Sequence, residues 1–308
     1  MRTLAKPCGL KPGDHIAIAA PGASLSRGER NRLDRAASVL ERWGFRVKTM
    51  SDPSRSRGYL AGDDKDRAQA LMGLFEEPEV RAILCARGGY GAQRIVPFLD
   101  PTVIQENPKV FVGSSDMTIL LVYLMECCSL VSFHGPNVAT SQFWEGETER
   151  TQASLRAALG LGLPGESPAC RSLKTGVSQG RLKGGCLSLL VTTIGTAYEI
   201  DLRESILFLE DVNEPVYRID RMLTHMRHAG KLDEIQGLVV GEMTTENQQG
   251  TDLDSVILDV FHDQEFPIIV GFPSGHGRTN LTIPLGVEAT LDGDQGRLIF
   301  CESGLVVP

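Results

Sequence analysis

The chain has 308 residues, 42% hydrophobic and 23% charged, a balance typical of soluble globular proteins and long enough for two cores of ordinary size. Its net charge is −8, with no long basic run and no aromatic-studded basic stripe, which argues against nucleic acid as a partner. The opening "MRTLAKPCGLKPGDH" lacks a signal-peptide core and the most apolar stretch, "TILLVYLMECCSLVSF", carries Glu126, so no membrane contact and a cytoplasmic location are expected.

In chain order, "HIAIAAP" reads as a buried strand and "SRGERNRLDRAASVLERWG" as an amphipathic helix closed by Gly44. "FRVKTM" is the next strand, "DDKDRAQALMGLFEE" a helix, "RAILCA" a strand and "GYGAQRIVPFL" a loop and helix. "KVFVG" is a strand, "MTILLVYLMECC" a helix and "LVSFHGP" a strand running into a loop. This alternation implies a parallel sheet covered on both faces, whose sites form beyond the carboxyl ends of its strands. From about Thr148 the pattern weakens, and "LGLGLPGESPAC" reads as a linker. Residues 1–150 are thus expected to form a first α/β domain, 151–178 the linker and 179–308 a second α/β domain. In the second, "SILFLED", "IQGLVVGEM" and "FPIIVGF" are strands and "EPVYRIDRMLTHMRHAG" and "DLDSVILDVFHD" helices, with "ATLDGDQGRLIF" a hairpin.

Seven scattered cysteines, odd in number and without a CxxC pair, fit reduced thiols rather than a disulfide frame. None sits in a glycine-flanked turn, which argues against a cysteine nucleophile.

"KVFVGSSDMT" raises the first question of chemistry. Ser and Asp before an apolar helical run are ordinary N-caps. A strand followed by Gly-x-Ser and a helix is also the geometry of a nucleophile elbow, in which the serine two after the glycine stands above the sheet edge. That position is Ser115, and the amide of Asp116 then faces an oxyanion; Met117 replaces the usual second glycine. "CARGGYG", residues 85–91, matches neither a dinucleotide fingerprint nor a phosphate loop, but a glycine-rich loop beside such a serine can supply a second oxyanion amide, with Gly89 the candidate.

A serine needs a base and the base an orienting acid. His276, in "GFPSGHGRTN", lies among loop residues after an apolar strand. His134 precedes Gly-Pro at a strand end and could line a cleft, while His225 and His228 share a helix at i,i+3 without the H-E-x-x-H of a zinc site. Glu210 follows an apolar strand directly, with Asp211 and Glu214 as rivals; period-two alternation sends Glu210 and Asp211 to opposite faces.

The segments "GDHIAIAAPGAS", "ARGGYGAQRI", "VGSSDMT", "SFHGP", "LKGGCLSLL", "ILFLEDVNEPVYRIDRML", "GLVVGEM" and "PSGHGRTNLTIPLG" occur in the order and wording of the LD-carboxypeptidase family, the S66 serine peptidases. The resemblance spans nearly the whole chain. It implies an α/β fold: an N-terminal parallel-sheet domain, flavodoxin/Rossmann-like, and a C-terminal swivelling β/β/α-type domain, with the site between them in a homodimer. Matched motif by motif, the family's Ser–Glu–His triad falls on Ser115, Glu210 and His276, and its oxyanion donors on the amides of Gly89 and Asp116. No metal and no cofactor are implied. Cys186 stands where the family usually has asparagine.

The substrate the resemblance implies is a small cytoplasmic peptide, the muropeptide tetrapeptide, cut at the amide bond to its terminal D-alanine in peptidoglycan recycling. The terminal carboxylate calls for a bidentate donor, for which Arg87, Arg94 and Arg218 are candidates, with Tyr90 beside the loop. Two other readings are open. Some members cleave a peptide-nucleotide antibiotic of the microcin C type and confer self-immunity, and an α/β module of this kind could bind peptides or nucleotides without catalysis.

Overall fold

The computed structural model describes residues 3–49, 56–144, 148–162, 167–245 and 252–306. Residues 163–166 of the expected linker and Met50, the end of the second expected strand, lie outside the described residues.

Chain order gives β1 (His15–Ala19), α1 (Arg27–Arg42), β2 (Arg46–Thr49), α2 (Asp64–Glu76), β3 (Val80–Cys85), α3 (Ala92–Ile95), α4 (Pro101–Glu106), β4 (Val110–Gly113), α5 (Thr118–Glu126) and β5 (Ser132–His134). There follow α6 (Ser141–Trp144), α7 (Thr148–Ala158), β6 (Arg171–Lys174), β7 (Val177–Cys186), α8 (Leu187–Val191), β8 (Ser205–Val212), α9 (Val216–His228) and β9 (Gly237–Thr244). The last elements are α10 (Leu253–Val260), β10 (Ile268–Gly275), β11 (Ile283–Leu285), β12 (Glu288–Asp292) and β13 (Arg297–Phe300).

Two mixed sheets carry the fold. The first has the order β11-β5-β4-β3-β1-β2. Its first five strands in sequence are parallel and follow the flavodoxin-like order 2-1-3-4-5, so the topological switch lies between β1 and β3. The second has the order β13-β12-β7-β8-β9-β10-β6, with β7, β8, β9 and β10 parallel and antiparallel strands at both flanks.

The burial of these strands explains their composition. All four residues of β4 are buried, as are the first seven of β8, so neither needs a polar alternate position. Helix α1 has the opposite character. It starts on a capping box in which Glu29 N–H donates to Ser26 Oγ at 3.3 Å and Ser26 N–H to Glu29 Oε2 at 2.8 Å, and it buries only one face, Leu33, Ala36, Val39 and Leu40.

Helix α5 is apolar all round because it is covered all round. Thr118 through Met125 are buried, and its side chains share one core with Leu182, Ile206 and Phe208 of the second sheet. Each such leucine contributes about 1.5–3 kcal/mol through burial. The two sheets are thereby packed through the helix that follows the candidate nucleophile.

Several elements, α4, α6, α7, β6, β7, α8 and β11, have no counterpart among those read from the sequence, and three of them show why. Helix α4 begins at Asp100-Pro101, where Asp100 Oδ1 accepts from Thr102 N–H at 2.9 Å and proline supplies the pre-set first turn. Helix α7 occupies Thr148–Ala158, where the pattern was read as weak, because only Thr151 and Leu155 of it are buried. Strand β11 returns from the second half of the chain to pair antiparallel with β5 in the first sheet, Ile283 opposite His134. Three residues are too few to reveal such a crossover by periodicity.

Candidate active site

The strand ends of the first sheet converge on a cleft of about 300 Å³ whose lining includes Arg87, Gly88, Gly89, Ser115, Asn137 and His276. Arg87 to Gly89 follow β3, Ser115 follows β4 and Asn137 follows β5, so each comes from a carboxyl end.

Ser115 opens a single 3-10 turn between β4 and α5 and has φ 62°, the left-handed region that a side chain rarely occupies. Holding a serine there costs about 1–2 kcal/mol and turns its side chain out of the strand–helix path. Gly88 sits directly against it. A Cβ on Gly88 would come within 2.6 Å of Ser115 Cβ and 2.9 Å of Oγ, so only glycine leaves room for the hydroxyl.

Asp116 joins the two loops chemically. Its buried carboxylate accepts from Ala92 N–H at 2.9 Å, tying the elbow to the end of the "RGGYG" loop. Burial pushes this carboxyl up, and hydrogen bonds from the Ala92 and Gly91 amides work against that rise. From the other side, the buried Arg67 guanidinium donates to the carbonyls of Gly91, at 3.0 Å, and Pro21. Gly89 lies between these anchors with φ 97°. The loop is thus fixed beside Ser115.

The second sheet supplies Glu210 and His276. Glu210, fully buried near the end of β8, places Oε2 2.6 Å from Nδ1 of His276. A carboxylate only accepts, so Nδ1 carries the proton and the neutral ring keeps its lone pair on Nε2. His276 and Ser115 line the same cleft; that shared lining, rather than a direct hydrogen bond, is what joins them here. For His276, burial acts to lower the pKa, but the Glu210 hydrogen bond and charge outweigh it and raise the imidazole above its ordinary value. For Glu210, burial acts to raise the carboxyl, and the flanking imidazoles outweigh it and hold the group well below the usual carboxylate range.

The rival acids are engaged elsewhere. Asp211 Oδ2 accepts from Ser188 N–H at 2.7 Å at the start of α8, on the opposite side of the strand. Glu214 pairs with Arg218 at 3.6 Å.

Glycines around the histidine are explained by crowding. Gly275 has φ 125°, and a Cβ there would come within 2.7 Å of Glu210 Oε2. Gly275→Ala is therefore expected to displace the carboxylate from His276. The expected outcome is a loss of about 2–3 kcal/mol in a denaturant titration and a fall of about a hundredfold or more in kcat.

Of the residues expected to bind substrate, Arg87 lines the cleft, where its Nη1 donates to Glu29 Oε2 and to Ser24 O, both at 3.0 Å, and its Nε is buried without a partner. Arg94 is occupied by Asp64 in a bidentate pair, with Nε 3.0 Å from both carboxylate oxygens and Nη2 2.7 Å from Oδ2. Tyr90 stacks edge-on against Tyr59, and neither it nor Arg218 is among the lining residues of the cleft.

Two residues of the site go beyond the sequence reading, Asn137 with none and His134 with only a place in a cleft. Asn137, two beyond the His-Gly-Pro loop, donates to Ser114 O at 3.2 Å and Ser114 Oγ at 3.1 Å and leaves Oδ1 buried without a partner. His134 was expected only as a possible cleft residue; its Nε2 lies 3.5 Å from Glu210 Oε1, the oxygen that His276 does not use. The signal for both was their place at the carboxyl end of β5.

Cys186 is buried at the end of β7, and its backbone N–H donates to Thr118 Oγ1 at 3.1 Å, at the start of α5. Burial pushes its thiol well up, so it is a packing residue rather than a nucleophile. Among the described residues no cluster of three or more His, Cys, Asp or Glu side chains could hold a metal ion, and no helix is long and apolar enough to cross a membrane.

Comparison with known proteins places these features. Residues 16–135 match the LD-carboxypeptidase N-terminal domain and residues 179–291 the LD-carboxypeptidase C-terminal domain. A probable murein peptide carboxypeptidase of Bacillus subtilis is 34% identical over 294 residues, covering 93% of this chain and 91% of its own length. The crystal structure of a muramoyltetrapeptide carboxypeptidase from Oxalobacter formigenes superposes with a TM-score of 0.82 at 29% identity, covering 93% of this chain and 97% of that one. A structure of MccF, a protein named in Escherichia coli for self-immunity to microcin C7, in complex with glutamyl sulfamoyl guanosine superposes with a TM-score of 0.91 at 24% identity, covering 98% of this chain and 99% of that one. At that identity the agreement speaks to the fold alone.

Proposed function

From the premise that this chain belongs to the LD-carboxypeptidase family, S66, we propose that it is a serine LD-carboxypeptidase that releases the terminal D-alanine of a muropeptide tetrapeptide. The observation that carries the reading is the left-handed Ser115 sharing a cleft with His276, whose Nδ1 is held at 2.6 Å by a buried Glu210.

Nε2 of His276 takes the Ser115 proton as Oγ attacks the scissile carbonyl carbon, a contact that closes as substrate is drawn into the cleft. The Gly89 and Asp116 amides receive the oxyanion, each such donor being worth about 3 kcal/mol. The C–N bond breaks as Nε2–H protonates the leaving amine. Water, deprotonated by the same nitrogen, then frees the acyl group from Ser115. Residues 1–150 would bring the nucleophile and 179–308 the acid and base, in a cytoplasmic homodimer that recycles peptidoglycan peptides.

The test is direct. Purified protein incubated with disaccharide tetrapeptide is expected to yield the tripeptide and D-alanine by mass spectrometry. Because His276 titrates above an ordinary imidazole, the acid limb of kcat/KM should lie above about 6.5, with activity gained as pH rises and His276 loses its proton. A protein that left the tetrapeptide intact but cleaved an aspartyl-nucleotide amide would belong to the immunity type instead. Absence of Ser115 labelling by a fluorophosphonate would point to a non-catalytic module.

A further inference from the structure

Glu210 is a fully buried carboxylate, and the mechanism needs it ionised while His276 is neutral. In that state His276 offers Glu210 a hydrogen bond but no charge, and a buried charge without a counter-charge is costly. The other basic group facing it is His134, itself fully buried, with Nε2 3.5 Å from Glu210 Oε1.

Counting protons around His134 gives the same answer. Its Nδ1 lies 3.2 Å from Ser274 Oγ. That hydroxyl donates its one proton to Leu281 O at 2.8 Å, with Asn280 Oδ1 at 3.3 Å as a weaker alternative. Ser274 therefore turns a lone pair to Nδ1, and Nδ1 must carry a proton. A neutral ring would then aim the Nε2 lone pair at the carboxylate oxygen, two acceptors face to face. Nε2 and Oε1 are both buried without a hydrogen-bond partner at their 3.5 Å separation, so their approach is electrostatic, and a neutral imidazole would leave it a repulsion between two acceptors.

We infer that His134 is held as an imidazolium, with a proton on each ring nitrogen, and is the resting counter-ion of Glu210. Its role is that of a positioning residue. It fixes Oε1, so that Oε2 stays aligned on His276, and it offsets part of the carboxylate charge, so that His276 does not hold its proton too tightly to act as a base. The titratable groups around the cluster are Glu210 and Asp211 from β8, His276 after β10 and the neutral Cys186 thiol at the end of β7. The remaining face of the imidazole packs edge-on against Phe208, ring centroids 5.1 Å apart, which offers no further proton partner. The inference rests on the triad reading above.

The experiment has two arms. In the first, full-length protein labelled with ¹⁵N at its six histidines is studied by long-range ¹H–¹⁵N correlation near pH 7.5, and His134 is assigned by difference with His134→Gln. Should that variant not fold, the other five are replaced in turn. Both ring nitrogens of His134 are expected to be protonated; one protonated and one bare nitrogen overturns the proposal. In the second, His134→Gln keeps a donor near Oε1 but removes the charge. Its acid limb of kcat/KM is expected to move up by about one pH unit, with kcat lowered about tenfold and KM within about twofold, and His134→Asn, which cannot reach Oε1, to lose more. An active His134→Gln with an unmoved limb overturns the charge role. If wild-type protein releases no D-alanine, the functional reading fails, while the spectra still decide the state of His134.

Discussion

Replacing Ser115 with alanine is expected to lower kcat for D-alanine release by about 10⁴-fold or more while leaving the melting temperature nearly unchanged. The size follows from what the hydroxyl does. Without it there is no acyl-enzyme, and only the oxyanion amides and binding contacts remain to speed attack by water. The small effect on stability follows from the site: Ser115 is only half-buried, and no structural partner is lost with Oγ. Ser115→Gly sharpens the comparison. Glycine relieves the left-handed strain of about 1–2 kcal/mol but adds freedom to the unfolded chain, about 0.4–1 kcal/mol, so a dead enzyme of equal or slightly greater stability is expected. Ser114→Ala is the control. Ser114 Oγ accepts from Asn137 and Ser114 is buried and not among the cleft-lining residues, so most activity should remain. Full activity in Ser115→Ala with loss in Ser114→Ala would shift the nucleophile by one residue.

How far the sequence could lead depended on whether a feature was local. The strand-to-helix elbow was legible because Gly113, two serines and an apolar helix are contiguous, while the left-handed φ of Ser115 was not. The parallel sheet was legible because its strands are short runs, apolar in β1, β3 and β4 apart from single polar residues, separated by helices. The strand order, with its switch beside β3, was not, since no strand carries a mark naming its neighbour. Nor could the second partner of Glu210 be read. His134 lies 76 positions earlier on another sheet, and its partner Ser274 lies on β10 of the second sheet. The arginines show the limit most plainly. Three were equal in sequence, and the difference between them lies in which carboxylate each meets: Asp64 saturates Arg94, Glu214 takes Arg218, and Glu29 leaves one nitrogen of Arg87 unpartnered beside the cleft.

Glu210→Gln is expected to be the most damaging conservative change in the protein, in two measurements with different pH signatures. In kinetics, kcat should fall by about 10⁴-fold, because the amide nitrogen can donate to Nδ1 of His276 and force the ring proton onto Nε2, where it blocks acceptance from Ser115. In stability, the loss should be about 3–5 kcal/mol, as two buried imidazoles keep their places without the carboxylate between them. That gap must depend on pH. Glu210 is held low in the folded protein, so its contribution is present above the ordinary carboxylate range and lost as pH falls toward about 2. His276 is held high, so its share of the pair is complete below the ordinary imidazole range and lost as pH rises through its folded value. The stability difference between wild type and Glu210→Gln should therefore peak near pH ~5 to 6 and narrow on both sides. Denaturant titrations at pH 3, 5.5 and 8 check this. A gap that stayed constant across them would mean that Glu210 stabilises the fold through shape alone, and that its charge is not shared with the histidines.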